Sequence, residues 1–194
     1  LLLKKIEIEK TLRAEMQRIQ KIEARLDAIR NTESNAPFDV VIKDVPAQSA
    51  LSVTTKFASF DDAVMTQYRI YNGLSERDGY GLCFIICHDD EIVERDMTLE
   101  MGRMIESPAH SSVTVYDDFH LTPRQLPAVP MMATTVITGG LEVIHATYGK
   151  MALWVQENSY RMIDRPREIT LQAPQFADGR DLVTEIQFPV ELRA

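Results

Sequence analysis

The side chain best placed to do chemistry is the carboxylate of Glu168, in the stretch RPREITLQ. The proline before it marks a turn, and the β-branched residues after it are typical of a strand. Because strand side chains alternate between two faces, we expect Ile169 and Leu171 to face an apolar core, and Glu168 and Thr170 to face the other way. If that second face lines a cavity, the carboxylate needs a cationic partner or becomes partly neutral. The alternative is a carboxylate solvated at a strand end.

Reactive side chains also cluster around residues 83–90, where Cys83, Cys87 and His88 stand beside Asp89 and Asp90. On one strand the two thiols lie about 13 Å apart, which is too far for a disulfide or for one tetrahedral zinc ion. The sequence has no CxxC pair, phosphate-binding glycine loop or nucleophile elbow. We therefore expect structural thiols, no metal and no cofactor, and a reduced, cytoplasmic protein.

Composition narrows the function classes. The 194 residues are 45% apolar and 26% charged, which is ordinary for a globular protein. A net charge of −8 argues against nucleic-acid binding by this chain itself, because phosphate contacts need a basic surface. The longest apolar run, Leu82 to Cys87, is too short to cross a bilayer, and no signal peptide precedes it, so we expect no membrane partner.

A long helix is predicted over residues 1–31, which contain no glycine or proline. Leu12, Ile19 and Leu26 fall seven residues apart and form part of a heptad stripe. Glu15 interrupts that stripe. A helix this long with one narrow apolar stripe cannot bury it alone, so we expect a coiled coil that forms a homodimer. Packing on the chain's own domain is the alternative.

After the polar linker NTESNAPFD, the apolar spacing changes from helical to alternating, and a domain is expected over 37–194. Each half of it predicts strand, helix, strand, strand. In the first half (about 38–106), two short strands, 39–46 and 49–57, precede a helix from Ser59 to near Gly73, and strands 80–89 and 96–106 follow it. In the second half (about 112–193), the strands are 131–140, REITLQAP and DLVTEIQFPVEL, with a helix over 141–158. PRQLPAVP reads as an extended or turning segment.

The expected fold class is α+β, with two pseudo-repeated βαββ units that share one antiparallel sheet. Both helices would cover one face of the sheet, and the concave opposite face would hold a ligand beside Glu168. The first helix carries a stripe of Phe60, Val64, Tyr68 and Tyr71. The buried side of the second is expected to comprise Leu141, Ile144, Tyr148, Met151, Ala152 and Val155.

Four stretches carry a resemblance to a known family. IKDVPAQSALSV is similar to the opening strand pair of gyrase-inhibitor-like (GyrI-like) effector-binding domains, and TGGLEVIHATYGKMALWVQENSYRM resembles their strand-to-helix unit. RPREITL resembles their arginine-glutamate strand start, and VTEIQFPVE their closing strand. With the heptad helix in front, the chain resembles the C-terminal part of a MerR-type transcriptional regulator. The winged helix-turn-helix of such regulators is not in this sequence, which begins LLLKK, so we expect a fragment or a processed chain.

The resemblance implies a pocket between two pseudo-twofold modules, in which a glutamate pairs with lipophilic cations. Glu168 stands at the position of that glutamate. Leu141 and Thr170 stand where the family has tyrosines, so part of the aromatic wall is missing. Besides Glu168 and Thr170, the candidate ligand contacts are residues that could attract a cation or adapt to its shape: Tyr71, Tyr80, Phe84, Trp154, Tyr160 and Met101. Plain core packing is the alternative for each of these wall residues. Tyr148 is expected to be mainly structural.

The function expected from the sequence is ligand sensing and dimerisation in a MerR-type regulator, without enzymatic activity. The ligand would be a small lipophilic effector, cationic if Glu168 is its counter-charge. DNA would be contacted only through a winged helix-turn-helix that this sequence does not contain. Two alternatives remain open: a hydrolase on the same fold, with Glu168 as general base, and a protein-interaction module that uses the concave face.

Overall fold

The computed structural model describes residues 39–75, 80–89, 95–105, 111–115, 119–175 and 179–193. The helix predicted over 1–31 lies outside these residues. Within them the chain forms ten strands and two helices. The elements are β1 (Val41–Val45), β2 (Gln48–Phe57), α1 (Phe60–Ser75), β3 (Tyr80–Cys87), β4 (Met97–Ile105), β5 (Val113–Val115), β6 (Phe119–Leu126), β7 (Val129–Thr138), α2 (Leu141–Glu157), β8 (Tyr160–Met162), β9 (Arg167–Gln172) and β10 (Val183–Leu192). Neither helix is long and apolar enough to cross a membrane.

The strands form one sheet in the order β1-β7-β10-β9-β3-β4-β2-β6-β5, and β8 pairs with β10. All the pairings between described strands are antiparallel. The unit β2-α1-β3-β4 and the unit β7-α2-β9-β10 contribute equivalent halves of this order, which meet where β3 pairs with β9. The α+β class and the antiparallel sheet expected from the sequence are confirmed. Strands β6 and β8 were not expected, because β6 contains the proline-rich PRQLP stretch.

The sheet is strongly curved. Only two residues separate β1 from β2, and only two separate β6 from β7, so the two ends of the strand order lie close together. On the face away from the helices, Leu126 of β6 packs with Phe84 of β3 and Ile169 of β9, although other strands lie between them in the sheet. Such contacts require a concave face. That face is filled by its own apolar side chains.

Polar side chains complete the packing of the concave face. The buried carboxylate of Glu100 on β4 accepts hydrogen bonds from Ser52 Oγ (2.8 Å) and from Arg124 Nε on β6 (3.0 Å). Arg167 on β9 is fully buried, and its Nη2 donates to the carbonyl of Pro127 (3.3 Å). The Arg124–Glu100 bond joins strands that are not sheet neighbours, and the Arg167–Pro127 bond joins β9 to the link between β6 and β7, so both help to hold the curvature. The Glu100–Arg124 pair leaves one partner half-exposed, which limits its contribution to stability.

Helix α1 begins after Ser59, as the sequence indicates, because the Ser59 hydroxyl accepts a hydrogen bond from the backbone N–H of Asp62 (3.2 Å). Ala63, Ile70 and Leu74 face the sheet and are buried in the core. The apolar stripe predicted for this helix does not face the core. Its described members Val64, Tyr68 and Tyr71 are 43%, 59% and 37% exposed and lie beside a cavity.

Helix α2 follows β7 after a turn at Gly139, whose φ of +140° is a conformation that side chains disfavour. Its buried residues are Ile144, Thr147, Met151 and Val155. The expectation that Ala152 would be buried is wrong, since it lies on the exposed side of the helix. Leu141 and Tyr148 are half-buried and border the same cavity as α1.

Candidate ligand-binding site

A cavity of about 330 Å³ lies between α1, α2 and the face of the sheet that the two helices cover. The expectation of a ligand-holding face opposite the helices is therefore wrong. Cross-strand partners point to the same side of a sheet, and Ile85 pairs with both Met101 and Glu168. All three side chains consequently form the floor of this cavity. On the opposite, concave face, Phe84, Ile169 and their neighbours form a packed apolar cluster.

The floor is mostly apolar and rich in sulfur. It comes from alternate residues of the central strands: Cys83, Ile85 and Cys87 of β3, Met97, Leu99 and Met101 of β4, Glu168 and Thr170 of β9, and Thr184 of β10. The walls come from the helices: Ala63, Val64, Gln67, Tyr68 and Tyr71 of α1, and Leu141, Ile144, His145 and Tyr148 of α2. Gly140, Ala173, Pro174, Gly179 and Leu182 complete the lining. Methionine and cysteine side chains are polarizable, and methionine adapts its shape to a ligand.

Glu168 is the only carboxylate among the described residues that line the cavity. The hydroxyl of Tyr148, on α2, donates a hydrogen bond to its Oε1 (2.9 Å). Burial disfavours the charged form and raises the pKa of Glu168 from 4.5 to about 7, although the bond from Tyr148 acts in the opposite direction. Burial and the neighbouring carboxylate also raise the pKa of Tyr148, so this hydroxyl keeps its proton. Near neutral pH this carboxyl group can therefore change its protonation state.

A second polar pair stands next to Glu168 on the cavity floor. Gln67 Nε2 of α1 donates a hydrogen bond to Thr170 Oγ1 of β9 (3.1 Å). Strand β9 is thus bonded to both helices, to α2 through Glu168 and to α1 through Thr170. These two bonds fix the width of the cavity across the sheet.

Arg103 on β4 positions the wall that α1 provides. Its Nε and Nη2 donate to the carbonyl of Gly81 (2.9 and 2.6 Å), and its Nη1 donates to the carbonyl of Tyr71 (2.9 Å). The guanidinium also lies 5.2 Å from the centre of the Tyr71 ring, within the range of a cation–π contact. Tyr71 is therefore held against the sheet at the edge of the cavity.

Both thiols face the cavity as neutral groups. Burial raises the pKa of Cys83 to about 11, and burial also raises the pKa of Cys87. Neither thiol is part of a disulfide, and the thiols behave as small apolar wall groups at neutral pH. In the part of the chain that the structure describes, no three His, Cys, Asp or Glu side chains are placed to hold a metal ion.

The structure brings together four of the eight residues that the sequence indicated for ligand binding. Glu168, Thr170, Tyr71 and Met101 all line the cavity.

The other four lie elsewhere. Phe84 is fully buried on the concave face, because strand alternation gives the cavity to its neighbours Cys83 and Ile85. Tyr80 packs beside the core under α1. Trp154 lies in the last turn of α2 and stacks on Tyr160 with ring centres 5.5 Å apart, whereas the cavity is bordered by the first half of that helix.

Two aromatic wall residues were not among the predicted ligand contacts, and one of them, Tyr148, was expected to be mainly structural. Tyr148 belongs to the apolar stripe of α2, but its hydroxyl bonds to Glu168 while its ring packs against Phe188. Tyr68 belongs to the stripe of α1 and is 59% exposed at the cavity. The available signal was the tyrosine itself, since an amphipathic ring suits a half-open wall better than a dry core.

Neither a protein-family model nor a curated protein matches the sequence. Among solved structures, the EcmrR C-terminal domain superposes with a TM-score of 0.66 at 21% identity, over 80% of this chain and 99% of that one. EcmrR in a cryo-EM complex with DNA superposes with a TM-score of 0.66 at 21% identity, over 97% of this chain and 70% of that one. A hydrolase encoded by lin2189 of Listeria innocua superposes with a TM-score of 0.55 at 17% identity, over 84% of this chain and 97% of the hydrolase. SAV2435 bound to tetraphenylphosphonium superposes with a TM-score of 0.50 at 9% identity, over 79% of this chain and 94% of SAV2435.

These comparisons settle the fold. The chain has the fold of the EcmrR C-terminal domain, and the resemblance to GyrI-like domains of MerR-type regulators that the sequence indicated is confirmed at that level.

Proposed function

We propose that this chain, with the fold of the EcmrR C-terminal domain, is the ligand-sensing part of a MerR-type regulator and binds a small lipophilic cation beside Glu168. One observation carries the proposal: a single carboxylate lies on the floor of an otherwise mainly apolar cavity. No lysine or arginine is among the described residues that line it. His145 also lines the cavity, but no ion pair between described residues joins it to Glu168, so a ligand can supply the cationic partner of the carboxylate.

The energetics favour a cation over a neutral ligand. Two opposite charges 4 Å apart attract by roughly 4 kcal/mol at an effective dielectric constant of 20, several times more than in water. The rings of Tyr68, Tyr71 and Tyr148 border the same space, and each cation–π contact adds about 0.5–2 kcal/mol. A lipophilic ion is needed as well, because a strongly hydrated ion would lose more hydration energy on entering than these contacts return.

Two neighbours support this function. SAV2435, which shares the fold, was solved with the lipophilic cation tetraphenylphosphonium, and EcmrR was solved in complex with DNA. In the proposal, residues 1–31 form the dimerising helix, and DNA is contacted through a separate winged helix-turn-helix in the cytoplasm. Occupancy of the cavity would act on DNA only if the ligand prefers one of two arrangements of the dimer.

The test is thermal stabilisation by tetraphenylphosphonium, with wild type, Glu168→Gln and Glu157→Gln side by side. Glu157 is an exposed carboxylate at the end of α2, so its variant is a control for the charge change alone. Ligand that binds the folded state raises the melting temperature through RT ln(1 + [L]/Kd). We expect stabilisation of wild type and of Glu157→Gln, and at least a tenfold loss of affinity in Glu168→Gln. Equal stabilisation of all three proteins would remove Glu168 from the binding site.

A second candidate function is hydrolysis, with Glu168 as the general base. It is favoured by a carboxyl group whose pKa is about 7 beside the Tyr148 hydroxyl, since a base is most effective when its pKa is near the working pH. A hydrolase from Listeria innocua also shares the fold. Turnover of ester or strained-ring substrates, lost in Glu168→Gln while binding persists, would establish this function. Stoichiometric binding without product would support the sensor.

A further inference from the structure

The hydrogen-bonded pair of Gln67 and Thr170 is a second polar site in the cavity. Cation binding by Glu168 does not involve this polar pair. The threonine hydroxyl and the amide both line the cavity and are bonded to each other (3.1 Å). Among the interactions described, none engages the Oε1 atom of Gln67. This acceptor, together with the Thr170 hydroxyl, is available to a ligand.

The distance between Glu168 and the Gln67–Thr170 pair follows from the geometry of strand β9. Glu168 and Thr170 are two residues apart on β9, so their side chains point to the same face about 7 Å apart. Across the sheet, Ile85 lies opposite Glu168, while Cys83 and Thr184 lie opposite Thr170. The carboxylate therefore has an apolar neighbour across β3, whereas the threonine stands in a patch of small polarisable and hydroxyl groups.

This arrangement disfavours a ligand that is apolar apart from its charge. Such an ion would cover the Gln67–Thr170 pair, displace the water bound to it and offer no hydrogen bond in exchange. A ligand with its own hydroxyl, carbonyl or amide at the right distance would form a hydrogen bond with the Gln67–Thr170 pair in place of that water. One net hydrogen bond of this kind is worth about threefold to tenfold in affinity.

We infer that the preferred ligand is an amphiphilic cation, with an ammonium nitrogen at Glu168 and a hydrogen-bonding oxygen or amide about 7 Å away at Gln67 and Thr170. The inference rests on the proposed function and adds the chemical class of the ligand. Thr170 and Gln67 act as specificity-determining residues, and the sulfur-rich floor of β3 and β4 contacts the apolar part.

The test uses two quaternary ammonium probes of equal length: (6-phenylhexyl)trimethylammonium, and its analogue with a hydroxyl group on the fifth carbon from nitrogen. Their affinities are measured by titration calorimetry at pH 8 for wild type, Thr170→Val, Thr170→Ser, Gln67→Leu and Glu168→Gln. We expect wild type to bind the hydroxylated probe threefold to tenfold more tightly. Thr170→Val and Gln67→Leu lose this preference, because the plain probe no longer covers an intact polar pair, and Thr170→Ser, which retains a hydroxyl, keeps the preference.

The outcomes separate this inference from the function on which it rests. If wild type binds both probes equally and Glu168→Gln weakens both, the cation site stands and the inference is overturned. If the preference survives in both Thr170→Val and Gln67→Leu, the hydroxyl is recognised elsewhere and the inference is also overturned. If folded wild type binds neither probe nor tetraphenylphosphonium, the proposed function fails together with the inference.

Discussion

Replacing Glu168 with glutamine should stabilise the unliganded protein at alkaline pH. The folded state holds this carboxyl at a pKa of about 7, whereas the unfolded chain releases its proton near 4.5. Between these values the folded state binds more protons than the unfolded state, so stability falls as the pH rises. This loss of stability is negligible below pH 4.5 and reaches its full size above pH 7. Glutamine has nearly the same shape and still accepts the Tyr148 hydrogen bond, but it cannot ionise.

The size of the effect follows from the pH window. At 1.36 kcal/mol per pH unit, ionising Glu168 in the folded state costs about 3 kcal/mol of unfolding free energy by pH 8. Glu168→Gln should therefore be more stable than wild type by about 3 kcal/mol at pH 8, and equal to it near pH 4.5. Chemical denaturation at a series of pH values measures both quantities.

Glu157→Gln is the control, because this exposed carboxylate should change stability by less than about 0.5 kcal/mol at any pH. A difference between Glu168→Gln and wild type that is the same at pH 4.5 and pH 8 would refute the reasoning, since a packing change has no reason to depend on pH. A destabilised Glu168→Gln at pH 8 would show that the folded state stabilises the carboxylate.

Four further predictions concern the cavity and its supports. Affinity for tetraphenylphosphonium should be constant above about pH 7 and fall about tenfold per pH unit below it, because protonation neutralises Glu168. Tyr148→Phe removes a bond that lowers this pKa, so calorimetric titrations should show the midpoint at higher pH. Gly102→Ala should destabilise by about 1–3 kcal/mol in denaturant melts, because its Cβ would lie 2.2 Å from the Leu51 carbonyl oxygen. The matched change Gly149→Ala, in open space on α2, should stabilise by about 0.5–1 kcal/mol; destabilisation by both would contradict the argument. Arg103→Lys should cost about 1–3 kcal/mol in the same assay, since lysine cannot reproduce the three hydrogen bonds to carbonyls, and an unchanged midpoint would contradict this.

Alternation along β9 predicted which residues share a face, but not which face bears the helices. Ile169 and Ile85 are both apolar and both surrounded by protein, yet Ile169 packs on the concave side and Ile85 forms the cavity floor. Both faces of a central strand are apolar when both are covered. The residue pattern therefore fixes relative orientation, and the curvature that distinguishes the faces depends on the two-residue links at Pro46-Ala47 and Pro127-Ala128.

Residue type was a poor guide to the cavity wall. The aromatic ring of Phe84 favoured it as a ligand contact, but its register assigns it to the opposite face, while the less conspicuous Cys83 and Cys87 line the cavity. Tyr68 and Tyr148 looked like core residues because a cavity wall and a core present the same apolar helical spacing. Only the tertiary arrangement, with the two helices set apart over different halves of the sheet, separates the two roles.

The walls and the floor of the cavity are under unequal constraint. Val64, Tyr68 and His145 are exposed on the helices, and their replacement removes little buried surface. Met101 and Leu99 of the floor are also part of the core, so a change that suits a new ligand there costs stability as well. Under the proposed function, selection for a new effector, in nature or in the laboratory, should therefore proceed through the helix positions first, and a biosensor library should be concentrated there.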